Sequence, residues 1–244
     1  MQAPASLDTA SDPPIPDWPG LVIDQQTTVW RGRFPLQTVR FRYRRFDGTT
    51  SGPLTWELWR RGRAAAMLPY DPVTDQLVLL QQFRLPARAA GLDPVLIEVP
   101  AGLCEPGESE ADTISRESVE EIGFAASAML PIGRFLLTPG GCDETIALFA
   151  GRVSLPPPDG APPDDAPPDA PAGGRVIGHA GLAAEQEDIR VSIHPATAAI
   201  EAAAAGAFAN SVATIALLWL GLRRDWLRAQ WLTPASALPQ GPQR

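Results

Sequence analysis

Cysteine and histidine are scarce in this 244-residue chain, which has two of each. Cys104 and Cys142 stand far apart, no C-x-x-C pair occurs, and His179 and His194 are the only imidazoles. A zinc centre draws on clustered thiolates and imidazoles, so none is expected, and free thiols in a reduced, cytoplasmic setting are the default. Long apolar runs are missing too. The longest, Val212 to Leu222, is interrupted by Thr214 and falls short of the roughly 20 residues that span a bilayer. The opening MQAPASLDTASDPPIPDWPG has neither a basic n-region nor an apolar h-region, so no secretory signal is expected. Positive charge is in deficit, with 20 Lys and Arg against 28 Asp and Glu and a net charge of −8. That balance disfavours tight binding to nucleic acid or an anionic membrane, and neither is expected as a partner. No internal repeat is visible.

What the chain does have is proline, unevenly spread. Residues 1–20, rich in Pro, Ser and Asp, read as disordered. Residues 21–62 read as a β-extension. In it Val39, Phe41 and Tyr43 alternate with Arg40, Arg42 and Arg44, the pattern of a two-faced strand. Asp47-Gly48 is a hairpin signal, and Leu54, Trp56 and Leu58 alternate on the return. From residue 63 to 232 the pattern is that of a compact α/β domain. AAAMLPY and QLVLLQQFR predict two strands around the Asp71-Pro72 turn, and MLPIGRFLL and TIALFAGRV predict two more around the loop TPGGCDE. The stretch SLPPPDGAPPDDAPPDAPAGG, residues 154–174, cannot build a core and reads as a flexible excursion. Structure is expected to resume at GLAAEQEDIRVSIH, a loop and a strand, followed by helices over Ala196–Ala204 and Asn210–Leu232. In the second helix Ile215, Leu218, Leu222, Trp226 and Trp231 form an apolar stripe, expected to face the core. Residues 233–244 read as a tail.

The most informative segment is GLCEPGESEADTISRESVEEIGF, Gly102 to Phe124. Ser109 suits a helix N-cap, with acidic Asp112 three residues on, and Gly123 suits a left-handed C-cap. On the helix between them, Ala111, Ile114, Ser118 and Ile122 share one face. Glu117, Glu120 and Glu121 share another, at i, i+3 and i+4. Like charges so spaced repel and cost stability unless a cation joins them. Clustered carboxylate oxygens suit Mg²⁺ or Mn²⁺, which in turn bind phosphate oxygens.

This segment resembles the signature box of the Nudix hydrolases: G, five residues, E, seven residues, R-E, an apolar residue, any residue, E-E, any residue, G. Every charged and glycine position matches, and the one departure is Ser118 where an apolar residue is usual. The resemblance runs from about Phe34 to Trp231 and is nearest to the ADP-ribose pyrophosphatase branch. It is carried by RFRYRRFDG, LPYDPVTDQLVLLQQFR, IEVPAGLCEPGE, TPGGCDE, GLAAEQEDIRV and NSVATIALLWL, with Pro139 matching a proline or glycine after the box that steers towards ADP-ribose.

The resemblance implies an α/β/α sandwich around a mixed sheet, preceded by the β-extension, in a homodimer that exchanges its N-terminal strands. It implies Mg²⁺, with Mn²⁺ as a substitute, held by the main-chain oxygen of Ala101 and by Glu117, Glu121 and Glu187. It assigns catalytic roles to Glu185 as base, to Arg116 as the partner that holds a neighbouring glutamate, and to Glu120 beside the metal shell. The reverse assignment of Glu185 and Glu187 stays open. Arg84 is implied on the diphosphate, Glu144 near the terminal ribose, and Trp56 stacked on adenine, with Trp30 and Trp59 as weaker candidates and a packed hairpin tryptophan as the alternative. The implied reaction is hydrolysis of ADP-ribose to AMP and ribose 5-phosphate. The rivals are hydrolysis of another nucleoside-diphosphate sugar, such as an ADP- or GDP-hexose, and nucleotide sensing without cleavage.

Overall fold

The computed structural model describes residues 14–157, 174–182, 184 and 186–233. Its chain divides into two compact units. The first holds the residues up to Arg63 together with Leu136–Thr145, so it is built from two separate stretches of sequence.

In this unit three antiparallel strands pair in the order β1 (Leu21–Arg31), β2 (Pro35–Tyr43) and β3 (Leu54–Trp59). The alternation read from β2 holds for buried Val39 and half-buried Phe41 between exposed Arg40 and Arg42, but Tyr43, at the end of the strand, is exposed. The Asp47-Gly48 turn is present. Gly48 takes a positive φ of 84°, and the Asp47 carboxylate accepts hydrogen bonds from the Thr49 N–H and hydroxyl. Leu136–Thr145 joins the sheet through its backbone: the Trp59 N–H donates to Gly141 at 2.8 Å and the Asp143 N–H returns to Trp59 at 3.1 Å. Beneath that contact the Arg60 guanidinium, almost wholly buried, donates to Asp143 at 2.7 Å and to the Gln37 side chain at 2.8 Å. A buried cation needs such partners, because an unpaired one costs several kcal/mol, on the order of 3–5 when one partner is removed. Together Ile23, Phe41, Trp56, Leu58, Pro139 and Cys142 help line an apolar hollow of about 330 Å³ in this unit.

The second unit is an α/β/α sandwich around an eight-stranded mixed sheet. Its strands are β4 (Arg63–Asp71), β5 (Gln76–Phe83), β6 (Val95–Glu98), β7 (Ala101–Leu103), β8 (Ala128–Leu136), β9 (Thr145–Arg152), β10 (Arg175–Ala180) and β11 (Ile189–Pro195). The main path runs β10-β11-β5-β4-β9-β8, with β6 paired to β5 and β7 to β4. β4 is buried from Ala64 to Asp71, so both of its faces are covered and it reads as a continuous apolar run rather than an alternation. Helix α2 (Glu110–Ile122) sets Ile122 against Val78, Leu80, Val191 and Ile193. Helices α3 (Ala196–Ala204) and α4 (Ser211–Leu232) pack on each other closely enough that a Cβ on Gly221 would press on the Ile200 side chain.

The α4 stripe is a correction. Leu218, Leu222 and Trp226 are exposed, Leu222 at 86%, whereas Val212, Ala213, Ala216, Leu217, Leu220 and Leu227 are buried. The helix is apolar nearly all round, so two stripes compete. The one with small residues wins because Ala213 and Ala216 let the helix approach its neighbours. Trp231, at the C-terminal end, does pack inward, 6.4 Å from the Tyr70 ring. Strand β10 and the five-residue helix α1 (Leu85–Ala89) were not anticipated, being short and weakly patterned. The Pro-rich excursion lies largely outside the described residues, as does the tail from residue 234. Both cysteines are free, and among the described residues no helix is long and apolar enough to cross a membrane.

Candidate active site

The site begins at the ends of α2. Ser109 caps the N-terminus, its hydroxyl oxygen accepting the Asp112 N–H at 3.2 Å, and Gly123 closes the C-terminus at φ 75°. Ser118, where the resemblance leads one to expect an apolar side chain, is fully buried. Its hydroxyl donates to the Phe124 carbonyl at 2.6 Å, which satisfies both groups and ties the turn after the helix to the helix itself.

Glu108 is fixed by three donors: the Glu105 N–H, the Thr113 hydroxyl and the Arg116 guanidinium. The Arg116 hydrogen bond leads the effects that hold its carboxyl down at about 2. Arg116 then reaches Glu117 and Glu120 through one nitrogen, at 2.9 Å each. Hydrogen bonds to Glu108, with the charge of Glu117 added, raise the pKa of the guanidinium against the opposing effect of burial. Arg116 therefore supplies a cation to Glu117 and Glu120, and leaves Glu121 of the i, i+3, i+4 cluster to other partners.

Glu117 lies so close to β7 that a Cβ on Gly102 would collide with its carboxylate. Glycine at this position is thus a requirement of space. Burial raises the Glu117 carboxyl, with Arg116 opposing. Glu121, 5% exposed, accepts the Ala101 N–H at 2.8 Å. Burial, together with the charges of Glu117 and Glu187, pushes its carboxyl up to about 8 against the hydrogen bond from Ala101 and the charge of Arg84. These mutual influences mark Glu117, Glu121, Glu187 and Arg84 as one electrostatic neighbourhood. Glu187 also folds back on its own loop, its carboxylate accepting the Leu182 N–H at 3.1 Å. Glu185 lies outside the described residues.

Among the described residues no three His, Cys, Asp or Glu side chains are gathered closely enough to hold a metal ion. The donor set nevertheless suits a hard divalent cation: a half-buried and a buried carboxylate on one helix face, a glycine that lets one of them sit against β7, and a third carboxylate whose charge is felt by both.

Arg84 follows β5, and its guanidinium donates through Nε and Nη2 to one oxygen of Glu98, at 3.0 and 2.6 Å. Burial opposes the charge on Arg84, but the hydrogen bonds and charge of Glu98 outweigh it and raise the pKa. Glu98 was not singled out from the sequence. Its signal was there, as one carboxylate in the apolar run LIEVPAG.

Trp56 and Glu144 belong to the N-terminal unit. Trp56 is 53% exposed and meets Phe41 edge-on at 5.1 Å. Both Glu144 oxygens are engaged by Arg61, at 2.8 and 3.2 Å, and the Arg61 guanidinium lies over the rings of Trp59 and Phe34. Trp59 thus has one face taken, while Trp30 is 59% exposed. Asp143, which receives Arg60 and the N–H groups of Arg61 and Gly62, also went unnoticed in the sequence, since its partners lie some eighty residues away.

The NUDIX domain family model matches residues 60–171. An ADP-ribose pyrophosphatase from Escherichia coli strain K12 is 36% identical over 204 residues, covering 84% of this chain and 89% of that protein. The chain belongs to the Nudix family. A second relative, an ADP-ribose pyrophosphatase from Haemophilus influenzae, is 34% identical over 209 residues, 84% of this chain and 88% of its own length. A GDP-mannose pyrophosphatase from Yersinia enterocolitica is 33% identical over 105 residues, only 43% of this chain and 54% of its own. Among solved structures, an ADP compounds hydrolase superposes with a TM-score of 0.56 at 20% identity, over 86% of this chain and 96% of that one, a likeness of fold.

Proposed function

We propose that this Nudix chain hydrolyses the diphosphate bond of ADP-ribose, giving AMP and ribose 5-phosphate, with Mg²⁺ as cofactor and Mn²⁺ able to replace it. The observation that carries the reading is the intact acidic face of α2, with Glu117 and Glu121 drawn against β7 and Arg116 holding Glu108, Glu117 and Glu120 in register. A protein that bound nucleotide without cleaving it would have no use for so complete a set. The choice of ADP-ribose is supported by ADP-ribose pyrophosphatases that match over most of the chain, against GDP-mannose pyrophosphatases that match over half of it or less.

In this mechanism Glu117, Glu121, Glu187 and the main-chain oxygen of Ala101 would hold the cation. When bound, it supplies positive charge for the diphosphate and acidity for an attacking water. Arg84 forks onto phosphate oxygens, a task suited to a planar guanidinium, and stabilises charge as the P–O bond breaks. Glu185 accepts the proton of the water whose oxygen joins one phosphorus, while the bridging oxygen leaves with the other phosphate. Arg116 keeps Glu117 and Glu120 oriented, and Trp56 offers its exposed face to the base. We further propose a homodimer, in the cytoplasm; the dimer is supported by Val22, Val29, Trp30 and Trp56, apolar side chains that the three-stranded sheet leaves exposed for a partner to cover.

The test is a panel of ADP-ribose, ADP-glucose, GDP-mannose, NADH and diadenosine polyphosphates with and without Mg²⁺. Preference for ADP-ribose with AMP release is expected. Equal or better turnover of a hexose would move the reading to that sugar, and binding without phosphomonoester release would end it.

A further inference from the structure

Glu98 closes β6, three residues before Ala101, and is 6% exposed. One of its oxygens accepts both Arg84 donors, and the other accepts the Asn210 side-chain N–H at 2.9 Å. Asn210 is the N-cap of α4, and its own side-chain oxygen accepts the Ala213 N–H at 2.9 Å. That second bond settles which way the amide faces. The oxygen must point into the helix to satisfy an N–H that has no intrahelical partner, so the NH₂ must point at Glu98. The backbone of Arg84 is pinned as well: its N–H donates to Pro94 at 2.7 Å, and its carbonyl accepts the first turn of α1. Among the described residues the Nη1 of Arg84 has no protein acceptor, and the side chain remains 41% exposed. The guanidinium is thus gripped along its inner edge and open along its outer one.

We propose that Asn210 and Glu98 are positioning residues for the diphosphate hydrolysis, aiming the open edge of Arg84 at the phosphate by a fixed chain from helix cap to carboxylate to guanidinium. The proposal rests on the reading that Arg84 meets the diphosphate. A guanidinium on a free side chain would have to be ordered at each encounter, at a cost in rotamer freedom. Held by Glu98, it is ordered beforehand. The cost of burying the Glu98 charge is offset only while both of its oxygens are satisfied, which explains why the second partner comes from a helix whose cap must in any case be an oxygen acceptor.

The experiment is a double-mutant cycle on ADP-ribose hydrolysis, with thermal unfolding alongside. Arg84→Ala should lower kcat/KM by on the order of 10²-fold or more, the loss expected when a charge-stabilising contact goes. Glu98→Gln keeps the shape, releases the guanidinium and should lower kcat/KM by roughly 10-fold or more, with the Mg²⁺ concentration for half-activation changed less than about twofold. In the Arg84→Ala background the same Glu98→Gln change should cost less than about twofold, because its effect passes through Arg84. Asn210→Ser keeps an oxygen that caps α4 but removes the NH₂. The cap is kept, so the variant should stay folded under assay conditions, but the buried Glu98 oxygen loses its donor and unfolding should come a few degrees, roughly 2–8 °C, below the parent, with a several-fold loss in kcat/KM. If Glu98→Gln costs as much without Arg84 as with it, or if Asn210→Ser retains full activity, the positioning chain is wrong while the reading of Arg84 survives. A near-silent Arg84→Ala would overturn that reading and the positioning chain with it.

Discussion

Glu121 combines two demands that conflict. Its carboxyl is buried and pushed up to about 8, yet the proposed chemistry wants it ionised beside a cation. The linkage has a definite sign. A carboxyl raised from its ordinary value near 4.5 contributes stability that is full below that value and is lost as pH rises through about 8. In chelator the parent should therefore lose melting temperature between pH 5 and 8 relative to Glu121→Gln, and added Mg²⁺ should close or reverse the gap. A pH series of unfolding curves checks this, and a constant difference across the range would refute it. Turnover of Glu121→Gln should fall by about 10²-fold or more, since a charge is lost from the reacting centre. Ser118→Ala leaves the Phe124 carbonyl without its donor and should cost about 1 kcal/mol in a denaturant titration. Most of the acidic set was legible because it sits on one helix, where spacing alone fixes which side chains are neighbours. Glu98 and Asp143 were not, because their partners arrive from other elements and no local pattern announces them.

Among the elements, α2 was readable to the residue because both of its ends carry capping chemistry, Ser109 at one and Gly123 at the other. Gly123→Ala should destabilise by about 1 kcal/mol, as a side chain is forced into a left-handed conformation. Helix α4 shows the opposite case. Its ends were nearly right, but its buried face was misjudged because apolar residues surround it, and only packing against α3 and the sheet decides between stripes. Leu220→Ala should cost about 3 kcal/mol by leaving a cavity, whereas Leu222→Ala should fall within about 0.5 kcal/mol of the parent. Equal effects in chemical denaturation would mean that the helix is rotated from its place in the sandwich.

At the scale of the whole molecule, strands β4, β5, β8, β9 and β11 and helices α2, α3 and α4 were readable from apolar runs, helical periodicity and caps, while their assembly into a sandwich came only with the Nudix resemblance. The grouping of Leu136–Thr145 with the N-terminal strands was not readable, since a loop of Pro and Gly says nothing about which sheet receives it. The proposed exchange of strands between subunits gives a test at this scale. Glu185→Gln and Trp56→Ala chains, each impaired alone, should recover up to about half of the parent activity per dimer on mixing if Trp56 serves the partner's site. Absence of recovery, with subunit exchange verified, would keep Trp56 within its own chain. The two-stretch construction of the N-terminal unit has a temporal consequence as well. Arg60 is neutralised by Asp143, and Trp59 finds its backbone partners in Gly141 and Asp143. The strands that leave the ribosome first therefore cannot finish their own unit until about eighty further residues have been made. Birth order and completion order are inverted: the start of this polypeptide waits, with a cation it cannot bury, for a loop near its middle.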